Sequence, residues 1–169
     1  MRSVTLTTAP AKICHRVLFV CLGNICRSPT AEGVLRHLAA ALAPGLPIEV
    51  DSAATGDYHT GSPPDSRSQR AARKRGVEIG GLRARQVGAD DFHRFDLILA
   101  MDEANLRELR ALQPPGSRAT LRLFMDYAQD QGRAEVPDPY MGGERDFETV
   151  LDLTEAASRG LIAALQGRH

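Results

Sequence analysis

The feature that most restricts this chain is a set of apolar runs that do not alternate. RVLFVC at 16–21 and FDLILAM at 95–101 are hydrophobic at successive positions, not at every second one. Side chains of a strand point to opposite faces in turn, so such a run must be covered on both faces. IEVDSA at 48–53 and ATLRLF at 119–124 complete a set of four candidate strands. Segments of helical period stand between and after them, at 28–43, 65–75, 102–112 and 144–165, with a short helical turn after the fourth strand. The helix boundaries are punctuated: PGLP ends the first, Gly76 closes the second and PPG stops the third. Ser28 reads as the N-cap of the first helix, with Pro29 at the first helical position. Asp102 and Glu103 open the third helix, where acids suit the positive end of the dipole. Strands alternating with helices predict an α/β fold, a doubly wound four-stranded parallel sheet with helices on both faces. Ligands of such sheets sit outside the carboxyl ends of the strands, which is where Cys21 falls.

A chain of 169 residues suits one domain with a sizeable core. Lys and Arg balance Asp and Glu at 21 each, which argues against bulk nucleic-acid or membrane-surface binding. Cys14, Cys21 and Cys26 cluster near the front, unlike a disulfide framework, so a reducing cytoplasm is the expected location. Residues 1–15 lack the continuous apolar core of a signal peptide and are expected to form a flexible extension to a single catalytic domain at 16–169. No run approaches a membrane span, so no membrane insertion is expected.

Cys21 is followed by Leu22, Gly23, Asn24, Ile25 and Cys26, then by Arg27 and Ser28. The Cys-x5-Arg spacing is weak by itself, because arginine is abundant in this chain. Its neighbours carry more weight. Gly23 and Asn24 tolerate the left-handed backbone that turns successive N–H groups into an anion-binding nest. The helix that follows adds free N–H groups and a positive end. A thiol in such surroundings is favoured as the thiolate, a nucleophile at phosphorus. Arg27 offers a planar fork for two phosphoryl oxygens, and Ser28 a hydroxyl for the sulfur. This chemistry calls for no metal and no cofactor. The plain alternative makes Cys21 a small buried residue that ends a strand, with Arg27 exposed on the next turn.

Displacing an alkoxide or phenolate needs a proton donor. Asp138, stiffened by Pro137 and Pro139 in VPDPYMGG, is the candidate; otherwise Asp-Pro is an ordinary turn. Tyr58 and Tyr140 stand in polar loops and would wall a flat ring, or simply pack.

Taken in order, VLFVCLGNICRSPTAE, DSAATGDYHTGSPPDSRS, RARQV, FDLILAMDEANLREL and VPDPYMGG resemble the low-molecular-weight protein tyrosine phosphatases over about residues 16–165. The resemblance implies a phosphotyrosine protein phosphatase I-like fold. It also implies hydrolysis of phosphotyrosine, in proteins or small aryl phosphates, through a phosphocysteine intermediate. Carried over by residue, it makes Cys21 the nucleophile, Arg27 the phosphate binder, Asp138 the general acid and base, and Ser28 the residue that tunes the thiolate. Asn24 becomes the strained loop residue, Ser52 its supporting partner, and Tyr58 and Tyr140 the pocket walls. Cys26 matches a cysteine that in many members forms a reversible disulfide with the nucleophile. A monomer or weak dimer is expected. Three positions depart from the pattern: Leu82 stands where many members carry a histidine supporting the loop asparagine, Ala54 replaces a glycine, and Met141 replaces a second aromatic.

Two other functions fit parts of the pattern. An arsenate reductase of the same fold relays a disulfide through later cysteines, and none follows Cys26. A non-catalytic phosphotyrosine-binding module would lack the nucleophile or the acid. The basic helix RSQRAARKR at 67–75 spreads its arginines around the helix and reads as a solvated surface. The five histidines show no metal-ligand spacing.

Overall fold

The computed structural model describes residues 13–167. Residues 1–12 of the expected extension lie outside them, and the first strand already begins at His15.

Four strands, β1 (His15–Cys21), β2 (Ile48–Ala54), β3 (Leu97–Ala100) and β4 (Thr120–Leu123), form one parallel sheet in the order β2-β1-β3-β4. Helices α1 (Arg27–Leu42), α2 (Ser66–Lys74), α4 (Glu103–Leu112) and α5 (Glu144–Leu165) connect and cover it. Two smaller elements, the single turn α3 (Asp91–Arg94) and a 3-10 segment at Phe124–Gln131, fill the connections. The doubly wound parallel α/β architecture read from the sequence is the one observed. Strand order reverses direction between β1 and β3, which opens a crevice beyond their carboxyl ends.

The unbroken apolar run of β1 now has its physical reason. Val17, Phe19 and Cys21 enter the core shared with α1 and α5, whereas Leu18 and Val20 enter a second core with Phe92, Leu106 and Leu109. All five are buried, because helices lie on both sides of the sheet. Each aliphatic or aromatic side chain buried in this way contributes roughly 1.5–3 kcal/mol. Phe19 meets Phe124 edge to face, with ring centroids 4.7 Å apart.

Where boundaries differ from the sequence expectation, a specific contact moved them. β3 does not start at Phe95, because the Phe95 N–H closes the α3 turn on the Asp91 carbonyl. That turn carried no legible period; it is held by the Asp91 carboxylate, which accepts the Gly88 N–H and pairs with Arg85. α1 begins at Arg27, so Ser28 is not an N-cap and Pro29 is not the first helical residue. The Ser28 hydroxyl is engaged elsewhere, as the site below shows.

α5 is clamped from two sides. Arg75, just past α2, pairs with Glu148, Asp152 and Glu155 along it. On its far end Gly160 lies so close to the 3-10 segment that an added Cβ would stand 1.9 Å from the Tyr127 carbonyl oxygen. Among the described residues no helix is long and apolar enough to cross a membrane.

Gly160→Ala is therefore expected to force α5 from the 3-10 segment and to lower stability by about 2 kcal/mol or more. A urea titration checks this, and an unchanged midpoint would show that the approach relaxes without cost.

Candidate active site

The chain leaves β1 at Cys21, turns through residues 22–26 and enters α1 at Arg27. The loop's carbonyls are tied to its surroundings. Cys21 O accepts the Thr55 N–H, Leu22 O the Gly56 N–H, Ile25 O the Asp65 N–H, and Cys26 O the Thr30 hydroxyl at 2.6 Å. With these carbonyls bonded outward, the amides lie toward the concave side. Asn24 N–H donates to the Cys21 sulfur at 3.3 Å. The N–H groups of Gly23, Ile25 and Cys26 have no hydrogen-bond partner among the described residues. Unpaired buried amides are rare, and a row of them around a concavity is an anion cradle.

Asn24 is the residue that turns the loop. Its φ is +57°, the left-handed region, and no other non-glycine described residue has a positive φ. Gly23 was expected to share this conformation and does not. Its missing side chain serves packing instead, since a Cβ there would meet His59 Cδ2 at 2.9 Å.

The Asn24 carboxamide then orders its neighbours. Its Nδ2 donates to Ser28 Oγ at 2.7 Å and to Ser52 Oγ at 3.0 Å, while its Oδ1 accepts the Arg85 backbone N–H at 3.1 Å. Because an amide nitrogen only donates, both serine oxygens must accept, and each hydroxyl keeps its hydrogen for another partner. Ser52 gives its hydrogen to Glu32 at 2.7 Å. Ser28 Oγ lies 3.1 Å from the Cys21 sulfur and 3.4 Å from the Ala53 carbonyl oxygen, the two acceptors within reach of its hydrogen, with the sulfur the nearer. Leu82, in the position expected of a histidine, packs against the core and gives Asn24 nothing; the Arg85 amide supplies the support. Glu32 is buried, which pushes its carboxyl above the ordinary range against the pull of Ser52 and Arg36.

Arg27 is 3% exposed, so it is not the surface residue of the plain alternative. Its NH1 spends both hydrogens, on Asp102 Oδ2 at 2.7 Å and the Val136 carbonyl at 3.1 Å. The Nε and NH2 edge is left for a ligand, with the Asp138 carboxylate 3.7 Å from NH2. Burial works against this charge, yet the Cys21 sulfur, Asp102 and Asp138 together hold the guanidinium above its ordinary value. Asp102 also caps α4 through the Asn105 N–H. Sequence reasoning recognised only its place at a helix start; its tie to Arg27 joins residues 75 apart and leaves no local signal.

A cleft of about 340 Å³ opens over this loop, lined by Cys21, Arg27, Asp138, Tyr58, Tyr140 and the unforeseen His59. Tyr58 and Tyr140 are exposed at its mouth. The loop carrying Asp138 and Tyr140 is pinned from below. Arg67 is held by Asp65, donates to Tyr140 O at 3.0 Å, and lies 4.6 Å from the Phe147 ring centroid. Asp138 Oδ1 accepts the Tyr140 N–H at 3.1 Å, so Oδ2 is the oxygen nearer Arg27. Cys26 is buried beside the cleft, and burial pushes its thiol up to about 12. Cys21 and Cys26 are free thiols.

Asn24→Ala is expected to lose about 4 kcal/mol of stability, roughly one for each of three hydrogen bonds and one for a left-handed alanine, while Asn24→Gly recovers only that backbone part. Urea midpoints check the pair; a glycine variant as stable as the parent would deny the carboxamide its role.

The model of the family described as low molecular weight phosphotyrosine protein phosphatase matches residues 16–169. The human low molecular weight phosphotyrosine protein phosphatase is 46% identical over 148 residues, covering 86% of this chain and 92% of its own. The crystal structure of YfkJ from Bacillus subtilis superposes with a TM-score of 0.85 at 39% identity, covering 93% of this chain and 98% of that one. A protein tyrosine phosphatase from Entamoeba histolytica superposes with a TM-score of 0.84, also at 39% identity, over 90% of this chain and 97% of its own. With an amide-lined loop at the end of the first strand and relatives matched along nearly their whole length, this chain belongs to the low molecular weight phosphotyrosine protein phosphatase family.

Proposed function

We propose that the protein hydrolyses phosphotyrosine and related aryl phosphate monoesters through a phosphocysteine intermediate. The observation that carries this is the cradle of unpartnered loop amides around the Cys21 sulfur, closed on one side by the free edge of Arg27. Family membership supports the same chemistry.

The steps follow from the geometry. Non-bridging phosphoryl oxygens sit on the N–H groups of the loop and on the Nε/NH2 edge of Arg27, whose bidentate fork fits the transition state. The Cys21 thiolate, facing the Asn24 N–H and the Ser28 hydroxyl, attacks phosphorus in line as the phenolic oxygen leaves. Asp138, protonated, gives its proton to that oxygen. Asp138, now a carboxylate, takes a proton from water as the water attacks the phosphocysteine. Inorganic phosphate leaves, and Cys21 returns as thiolate with its Ser28 hydrogen bond. Asp102 acts through Arg27 as a positioning residue. Tyr58 and Tyr140 flank the entering ring, which favours aryl over small alkyl esters.

Of the two loop cysteines, Cys21 is the one that oxidises first under peroxide, because burial keeps the Cys26 thiol protonated at neutral pH. Condensation of the Cys21 sulfenic acid with the Cys26 thiol, with loss of water, gives the disulfide. Free thiols at Cys14, Cys21 and Cys26 fit a cytoplasmic location.

Wild type is expected to hydrolyse p-nitrophenyl phosphate at mildly acidic pH with chelator present, and Cys21→Ser to be inactive. Activity persisting in the variant, or lost to chelator, would sink the proposal. Asp138→Asn is expected to lower kcat by about 10² for esters of poor leaving groups and less for good ones. A uniform loss across leaving groups in a Brønsted series would contradict the acid role.

A further inference from the structure

Behind Tyr140, between α2 and the start of α5, lies a second cleft of about 190 Å³, lined by Arg67, Arg70, Ala71, Lys74, Glu144 and Phe147. Residues 67, 70 and 74 are spaced three and four apart, which puts them on one side of the helix. The basic helix is thus not uniform. Arg73 turns to Glu78 and Arg75 to the acids of α5, while the other three cations share the cleft.

Those three cations differ in how they are used. Arg67 is committed to Asp65 and to the Tyr140 and Gly142 carbonyls. Lys74 pairs with the exposed Glu144 at 2.7 Å. The Arg70 guanidinium makes no hydrogen bond or ion pair among the described residues, and acts on Glu144 and Lys74 only through its field. With Arg67 offset by Asp65 and Lys74 by Glu144, the cleft keeps one uncompensated positive charge, at Arg70. It also has an apolar floor, Phe147 and Ala71, on which a side-chain stem can lie.

The two clefts share no lining residue and are linked by one contact, that of Arg67 with Tyr140. Tyr140 lines the cleft over Cys21, and on its other side the Arg67 guanidinium lies 5.6 Å from its ring centroid. A peptide whose phosphotyrosine is seated over Cys21 must leave the pocket past its mouth, and on the Tyr140 side the next concavity is the one holding Arg70.

We propose that this cleft is a specificity subsite that takes an acidic side chain flanking the phosphotyrosine of a substrate peptide, with Arg70 as its anchor. The inference rests on the phosphatase reading above and deepens it by naming the substrate class. Charge complementarity selects the occupant: an aspartate or glutamate pairs with Arg70, whereas a lysine or arginine meets a net positive cleft whose one acid, Glu144, is already paired with Lys74. Arg70 is exposed, so the interaction is a surface ion pair, modest in energy and screened by salt.

The test compares three phosphotyrosine peptides, with glutamates on the N-terminal side, on the C-terminal side, or with alanines on both. Each is assayed at low ionic strength with wild type, Arg70→Gln and Arg70→Glu, with p-nitrophenyl phosphate alongside. Wild type should favour one glutamate peptide over the alanine peptide about five-fold in kcat/KM, through KM. Arg70→Gln should remove that preference, Arg70→Glu should reverse it, and p-nitrophenyl phosphate should be unaffected. A preference that survives in both variants, no preference in wild type, or a parallel loss on all substrates would overturn the subsite. The same ratios measured as binding to Cys21→Ser, by anisotropy of labelled peptides, keep the two ideas apart. If wild type fails on p-nitrophenyl phosphate, the phosphatase reading falls, while the binding ratios still decide the cleft. Equal, Arg70-dependent binding of the unphosphorylated glutamate peptide would also overturn it, by showing an acidic site independent of the pocket.

Discussion

Everything at this site depends on how one side-chain amide spends its hydrogens. Asn24 holds the loop in a left-handed turn and anchors it to β2 through Ser52, to α1 through Ser28, and to the 82–87 segment through the Arg85 amide. By claiming the oxygen of each serine, it fixes the direction of the hydroxyl hydrogens beyond. One then runs to Glu32, and the other has the Cys21 sulfur and the Ala53 carbonyl within its reach. Such a network is worth its cost only when every member is satisfied, and here each of its polar atoms has a partner. Its outcome is a loop whose carbonyls face the protein and whose free amides face the cleft.

A similar economy governs Arg27. Two acceptors, Asp102 and the Val136 carbonyl, consume one end of the guanidinium and leave the other as a fixed fork. The Val136 N–H in turn bonds to the Met101 carbonyl, so the start of the Asp138 loop, the residue after β3 and Arg27 are tied by hydrogen bonds. Charge is thereby placed before any substrate arrives, which is the condition under which electrostatic stabilisation is effective.

Much of this was legible in the sequence, and the limits were physical. The unbroken apolar runs reported a sheet covered on both faces, because burial of every successive side chain has no other geometry. Helix α5 runs over the span its helical period gave, Glu144 to Leu165. Cys21, Arg27, Ser28, Asn24 and Ser52 could be gathered because loop chemistry and the family resemblance concern short segments. Ser28 was misread as a cap since a serine before a proline looks the same whether its hydroxyl turns to the helix or to a sulfur. Gly23 was assigned a backbone role when its task is to leave room for His59. The roles of Asp102 toward Arg27, of Glu32 and of the Val136 carbonyl escaped notice because their partners lie far along the chain and carry no spacing rule. The side of α2 that presents Arg70 became visible only once α5 and Tyr140 stood beside it.

The central claim is that the loop holds Cys21 as the atom to which phosphorus is transferred. Rapid acid quench of wild type mixed with an aryl phosphate of good leaving group, followed by mass mapping of the digested protein, tests it most directly. One phosphoryl group on the peptide spanning residues 21–27, assigned to Cys21 and absent from Cys21→Ser, is the result the proposed mechanism predicts. Turnover with no covalent phosphoryl group at any quench time, or with the group on Cys26 or His59, would contradict it.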